Sequence, residues 1–284
     1  MGCDSLPGMT QVILLAVVGF VSGTLGSMVG LGGGVFIIPM LTLFLDVPIH
    51  NAIAASLAAV IATSSTGSIT YLRQGLTNLR LGATMETALV VGALVGGLVG
   101  AFLGKAVLSA VFGAVMVAVS IYMVLSRKSV PSYPTEGADL GSLGATYFDR
   151  SLGREVRYRV KRLPLGLLTG LVAGNVSGLL GVGGGFLTVP FMRLGMDIPM
   201  RASVSTSSLM LGTTACAGSL VYLARGMMDP VTTVPVVLGV MTGAYLGSSL
   251  ALRVRSAVLA LILAVVLFAL AVQMILASVG VSLR

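Results

Sequence analysis

The groups in this chain best placed to do chemistry belong to its backbone. Gly30, Gly32, Gly33 and Gly34 form a G-x-G-G-G run, and Gly181, Gly183, Gly184 and Gly185 form a second. An apolar stretch and a proline, Pro39 or Pro190, follow each run. Glycine permits positive φ and close backbone approach, so each run is expected to end one helix and start another. The first N–H groups of a helix lack intrahelical partners and carry partial positive charge. Those around Gly32, Gly33, Gly34 and Val35, and around Gly183, Gly184, Gly185 and Phe186, could therefore hold a small anion. Tight helix packing explains a lone run as well. Two runs in one register, each opening a short segment, favour a binding role.

Hydroxyls form the next layer. Ser56, Thr63 and Tyr71 recur at helical spacing, and Ser207, Thr214 and Tyr222 repeat that face. Thr24 and Ser27 lie before the first run, and Asn175 and Ser177 lie before the second. Taken singly, a Ser or Thr in an apolar helix bonds back to its own carbonyls. As a paired face they are candidate substrate-binding residues for a polar solute. Glu86 is the one acidic side chain expected to enter an apolar segment, and it is a candidate for proton coupling. Cys3 and Cys216 fit no metal or disulfide spacing, and there is a single His. A metal site would need carboxylates, imidazoles or thiolates together, so none is expected, and no cofactor is implied. The same scarcity of acid–base groups argues against an enzyme.

What positions these groups is a membrane. The chain is 56% hydrophobic and 9% charged over 284 residues, which implies transmembrane helices. The net charge of +8 does not signal nucleic acid, because eight of the 17 Lys and Arg residues lie between Arg127 and Arg162. That clustering fits a cytoplasmic loop under the positive-inside rule.

Shifting the chain by 151 residues aligns two halves without a gap. Asp46 and Pro48 fall on Asp197 and Pro199, Gly67 on Gly218 and Tyr71 on Tyr222. So many matched Gly, Pro, Asp and Tyr residues indicate duplication. The expected fold is an all-α integral membrane protein of two homologous repeats, residues 1–126 and 163–284, joined by a loop at 127–162. Each repeat holds a long apolar segment (10–29; 164–180) and a short one (35–45; 186–196). Three more follow, at 50–72, 80–102 and 106–126, then at 201–224, 232–252 and 256–279. That makes eight full spans plus two short segments. If the short segments cross, the repeats are inverted, and 14 basic residues lie inside against three outside. If they are re-entrant, the repeats are parallel and the charge bias weakens. Asp46 and Asp197 are expected to cap the helices after them. Gly92, Gly96, Gly100 and Gly104, and Gly239, Gly243 and Gly247, recur every four residues and are expected to pack helices.

The doubled G-x-G-G-G motif, with Pro39 and Pro190 behind it, resembles the sulfite exporter TauE/SafE family across nearly the whole chain outside the loop. That resemblance implies a bacterial inner-membrane secondary transporter, probable exporter, for a small sulfur-containing anion such as sulfite or sulfoacetate. Expected partners are that anion, the lipid bilayer and a coupling ion, proton or sodium. A passive anion channel, or a carrier of another small organic anion, fits the same residues.

Overall fold

The structure, a computed structural model, describes residues 8–29, 32–125, 143–149, 154–251 and 268–276. Helix α1 (Gly8–Val29) leads to the first glycine run and α2 (Gly34–Pro39), which continues as a π-helical turn, Met40–Phe44. Next come α3 (Ile49–Arg73), α4 (Leu79–Phe102) and α5 (Lys105–Leu125). After a hairpin, β1 (Ala145–Asp149) and β2 (Arg154–Tyr158), the order repeats. It runs α6 (Leu163–Leu180), α7 (Gly185–Leu194), α8 (Met200–Ala224) and α9 (Pro230–Ala251). A last helix, α10, covers 268–276; the rest of the span expected at 256–279 lies outside the described residues. Among the described residues, six helices are long and apolar enough to cross a membrane: α1, α3, α4, α6, α8 and α9. Apolar side chains such as Phe20, Leu98, Leu168 and Leu238 cover their outer faces, as lipid contact requires.

Glycine stripes join the bundle. α1 packs chiefly on α9, and α4 on α6. A Cβ at Gly92 or Gly96 would lie on the carbonyls of Leu171 or Asn175, and one at Gly239 or Gly243 on those of Ala16 or Phe20. Only glycine admits backbones this close. Gly104 does not belong to the stripe, because it lies in the turn after α4 with nothing within 4 Å of its Cβ position.

The same contacts fix helix directions. Gly19 and Gly23 meet Val236 and Val240, so α1 and α9 run parallel. Gly174 and Gly178 meet Leu89 and Ala93, so α6 and α4 run parallel as well. α3 and α8 run antiparallel, since Ser64 bonds Ser208 while Leu57 lies against Gly218. It follows that α1 starts at the end where α2 finishes and α3 begins. The glycine run and the short helix therefore bring the chain back to the side that α1 came from. Asp46 and Asp197 cap nothing. They adopt positive φ (53° and 57°), and the N-cap positions of α3 and α8 are Pro48 and Pro199, without side-chain caps.

One departure from an all-helical fold lies in the linker. β1 and β2 pair antiparallel, with Ala145 opposite Tyr158. Alternation buries Tyr147, Val156 and Tyr158 while Thr146, Glu155 and Arg157 stay exposed. The hairpin docks where the α3–α4 and α7–α8 turns meet. Asn78 Nδ2 donates to Tyr158 Oη (3.2 Å) and to the Leu143 carbonyl (2.8 Å). Lys161 Nζ pairs with Asp197 at 2.8 Å. Burial pushes the Tyr158 phenol above its ordinary pKa, and the Asn78 bond partly offsets that.

Candidate functional site

The two glycine runs meet at the centre of the bundle. Gly33 (φ 78°) and Gly184 (φ 73°) are the N-cap residues of α2 and α7, in a left-handed conformation that L side chains rarely adopt. Gly32 and Gly183 both lie against Val60 and Leu211, which are themselves equivalent at the 151-residue offset. A Cβ at Gly34 would approach the Gly181 carbonyl to 2.6 Å. The two short helices thus start close together, each from its own half.

Neither start has a side-chain cap. The glycines and Val35 are buried, so water does not substitute freely for the missing partners. Beside the α7 start lies Ser177, fully buried, whose Oγ has no hydrogen-bond partner. Its Cβ is 3.4 Å from the Cβ position of Gly184. An unpaired buried hydroxyl is costly and usually marks an absent partner. The side chain of Phe186 lies outside the described residues.

The other hydroxyls expected at the site spend their protons on the backbone. Thr24 donates to the Phe20 carbonyl (2.8 Å) and Ser27 to that of Thr24 (3.1 Å). Thr63 and Thr214 donate to the Ala59 (2.9 Å) and Met210 (2.8 Å) carbonyls, which are equivalent positions. Tyr71 Oη reaches the Ser27 carbonyl (3.3 Å), and Tyr222 Oη that of Leu179 (3.2 Å). Ser56 ties the halves together by donating to the Gly181 carbonyl at 2.7 Å. Ser207 shares a 3.0 Å hydrogen bond with Thr188. Thr24 and Asn175 lie apart from the runs; their backbones face the glycine stripes of α9 and α4.

Sequence reasoning passed over Thr188, because its equivalent is Ile37 and a search for repeated hydroxyls cannot find it. It also passed over Ser208, whose equivalent is Leu57. Glu86 sits half-buried on α4, one turn beyond Gly82, which abuts Thr206 and Leu209 of α8. One of its carboxylate oxygens is buried without a partner. Among the described residues, no three His, Cys, Asp or Glu side chains gather as metal ligands.

A helical membrane bundle with broken helices meeting at its core is the architecture of a membrane transporter. The chain belongs to the sulfite exporter TauE/SafE family, whose model matches residues 15–274. Curated relatives carry transporter names. It is 27% identical over 270 residues to "Probable membrane transporter protein YunE" of Bacillus subtilis (strain 168), covering 93% of this chain and 97% of the relative. It is 28% identical over 240 residues to "Probable membrane transporter protein YdhB" of the same organism, covering 83% and 89%. A more distant relative is "Probable membrane transporter protein MJ0441" of Methanocaldococcus jannaschii, 26% identical over 216 residues, covering 74% and 72%. No solved structure matches the chain significantly.

Proposed function

We propose that this protein is a secondary transporter of a small sulfur-containing anion, sulfite or sulfoacetate, working by alternating access. The observation that carries the reading is the uncapped, buried start of α7 beside the unpartnered hydroxyl of Ser177. Backbone N–H groups with a free hydroxyl form a donor set suited to an oxyanion. The α2 start contributes from the other half. The family's description supplies the sulfur chemistry.

Two inverted repeats, 1–126 and 163–284, provide the moving parts. The contact pairs support this reading: α1–α9 and α4–α6 exchange under the 151-residue shift, while the equivalent helices α3 and α8 pack antiparallel. A two-fold axis in the membrane plane produces that pattern. Arg73, Arg80, Arg193 and Arg201 gather at the linker end of the bundle. We assign that end to the cytoplasm and the protein to the inner membrane.

The test is sulfite flux into proteoliposomes with wild type and Ser177→Ala. The variant should raise KM about tenfold, the cost of one charge-assisted hydrogen bond. An unchanged KM would remove Ser177 and the α7 start from the site. Glu86 is the proposed proton-coupling group. Glu86→Gln should abolish the dependence of uptake on a pH gradient while leaving sulfite exchange intact.

A further inference from the structure

The halves match in backbone but not in one cavity. About 10 Å³ of space, close to the least that one water needs, lies beside Gly32 and Gly67. Five hydroxyl residues line it: Ser27, Thr63, Ser64, Tyr71 and Ser208. The equivalent place in the second half is filled. Ser27, Ser64 and Ser208 correspond there to Gly178, Ala215 and Leu57. Leu57 carries its methyl groups to 3.4 and 3.5 Å from the Cβ position of Gly218. Around the matching Gly67 nothing lies within 4 Å.

The direction of the hydrogen bonds decides what this cavity accepts. Ser64 donates to the Ser208 carbonyl at 2.6 Å. Ser27, Thr63 and Tyr71 donate to carbonyls as given above. A hydroxyl has one proton, so these four turn only lone pairs to the space they line. The cavity also sits at the C-terminal end of α1, which stops at Val29, where helix carbonyls sum to partial negative charge. An oxygen-lined, electron-rich space of this size repels an anion and suits a small hard cation. No carboxylate lines it, so a divalent ion lacks the charge it needs. No lining group exchanges a proton near neutral pH, which leaves a proton without a seat.

We propose that this cavity is a single sodium site, present in the first half only, and that sodium bound there is the coupling ion. The coupling role rests on the transporter reading above; the binding does not. A site for the transported anion on the pseudo-axis draws on both halves, whereas a lone polar cavity off the axis is what one ion per cycle requires.

The experiment is thermal unfolding of the purified full-length chain in detergent, without any candidate anion, as sodium chloride replaces choline chloride at constant ionic strength. Ligand that binds only the folded state raises its midpoint. Wild type should show a saturable rise with sodium and none with potassium. Gly67→Ala adds a methyl group to empty space inside a helix, so its midpoint in choline should equal or exceed that of wild type. Its sodium response should vanish. Ser208→Ala should need at least tenfold more sodium for the half-maximal rise. Should Gly67→Ala fail to fold, the Ser208→Ala titration decides. Equal midpoints for wild type in sodium and choline would mean that the cavity holds water alone and would overturn the proposal. So would a wild-type sodium response in both variants. Neither result touches the anion site, which is judged by sulfite flux.

Discussion

At the scale of single residues, the chain separates hydroxyls that hold helices from those left with something to bind. Thr24, Thr63 and Thr214 bond to carbonyls one turn back, while Ser177 bonds to nothing. Their types and spacing are legible in the sequence; the fate of each proton is not, because it depends on which carbonyl the fold brings near. Asp229 is a residue whose role the sequence did declare, through an Asp-Pro pair at a helix start. Its carboxylate accepts from Val231 N (3.2 Å), Thr232 N (3.1 Å) and Thr232 Oγ1 (2.6 Å). The Thr232 hydroxyl bond, helped by the backbone bonds and opposed by partial burial, holds its pKa below the usual carboxylate value. A depressed folded-state pKa means that the stabilisation is present above the unfolded value of about 3.9 and fades as pH falls through the folded one. Asp229→Ala should therefore cost about 1 kcal/mol at pH 7. The gap from wild type should close toward pH 3, as read by thermal unfolding across that range. A gap that stays constant with pH would remove the carboxylate from the cap.

At the scale of elements, the helices follow the apolar runs to within a few residues. The short segments are readable because glycine and proline punctuate them. Their path is not, since eleven helical residues rise only about 16 Å and no local signal says where the chain turns back. Contacts across the halves supply that answer, through Gly26 against Gly33 and Gly34 against Gly181. The hairpin is the element the sequence hid. Its strands are five residues each, set among charges, and only docking onto Asn78 and the Met196 turn rewards their alternation. Asn78→Ala removes both bonds to the linker and an N-cap to Leu81 N. Trypsin should then cut near Arg157 several-fold faster than in wild type, with the helical core intact on a gel. An unchanged rate would mean that burial of Tyr158 alone holds the hairpin. The glycine stripes give a second element-scale test. Gly96→Ala puts a methyl group on the Asn175 carbonyl and should cost about 1–3 kcal/mol, whereas Gly104→Ala should be neutral in the same unfolding assay.

At the scale of the whole molecule, duplication and asymmetry divide the labour. The 151-residue offset foretold which helices would correspond, and the pairing of α1 with α9 and α4 with α6 follows that correspondence. Where the halves diverge, at Ser208 against Leu57 and Ser64 against Ala215, a polar cavity opens on one side only. A shared scaffold can thus rock between two faces while one half alone carries a coupling site. The account's central claim is carrier-mediated movement of a small sulfur anion. The measurement that meets it most directly is counterflow of radiolabelled sulfite in proteoliposomes. Unlabelled sulfite trapped inside should accelerate uptake of label several-fold, because a loaded carrier returns faster than an empty one. Label uptake indifferent to trapped sulfite, with conductance far above carrier turnover, would contradict alternating access and make the protein a channel. No sulfite flux of either kind would contradict the substrate.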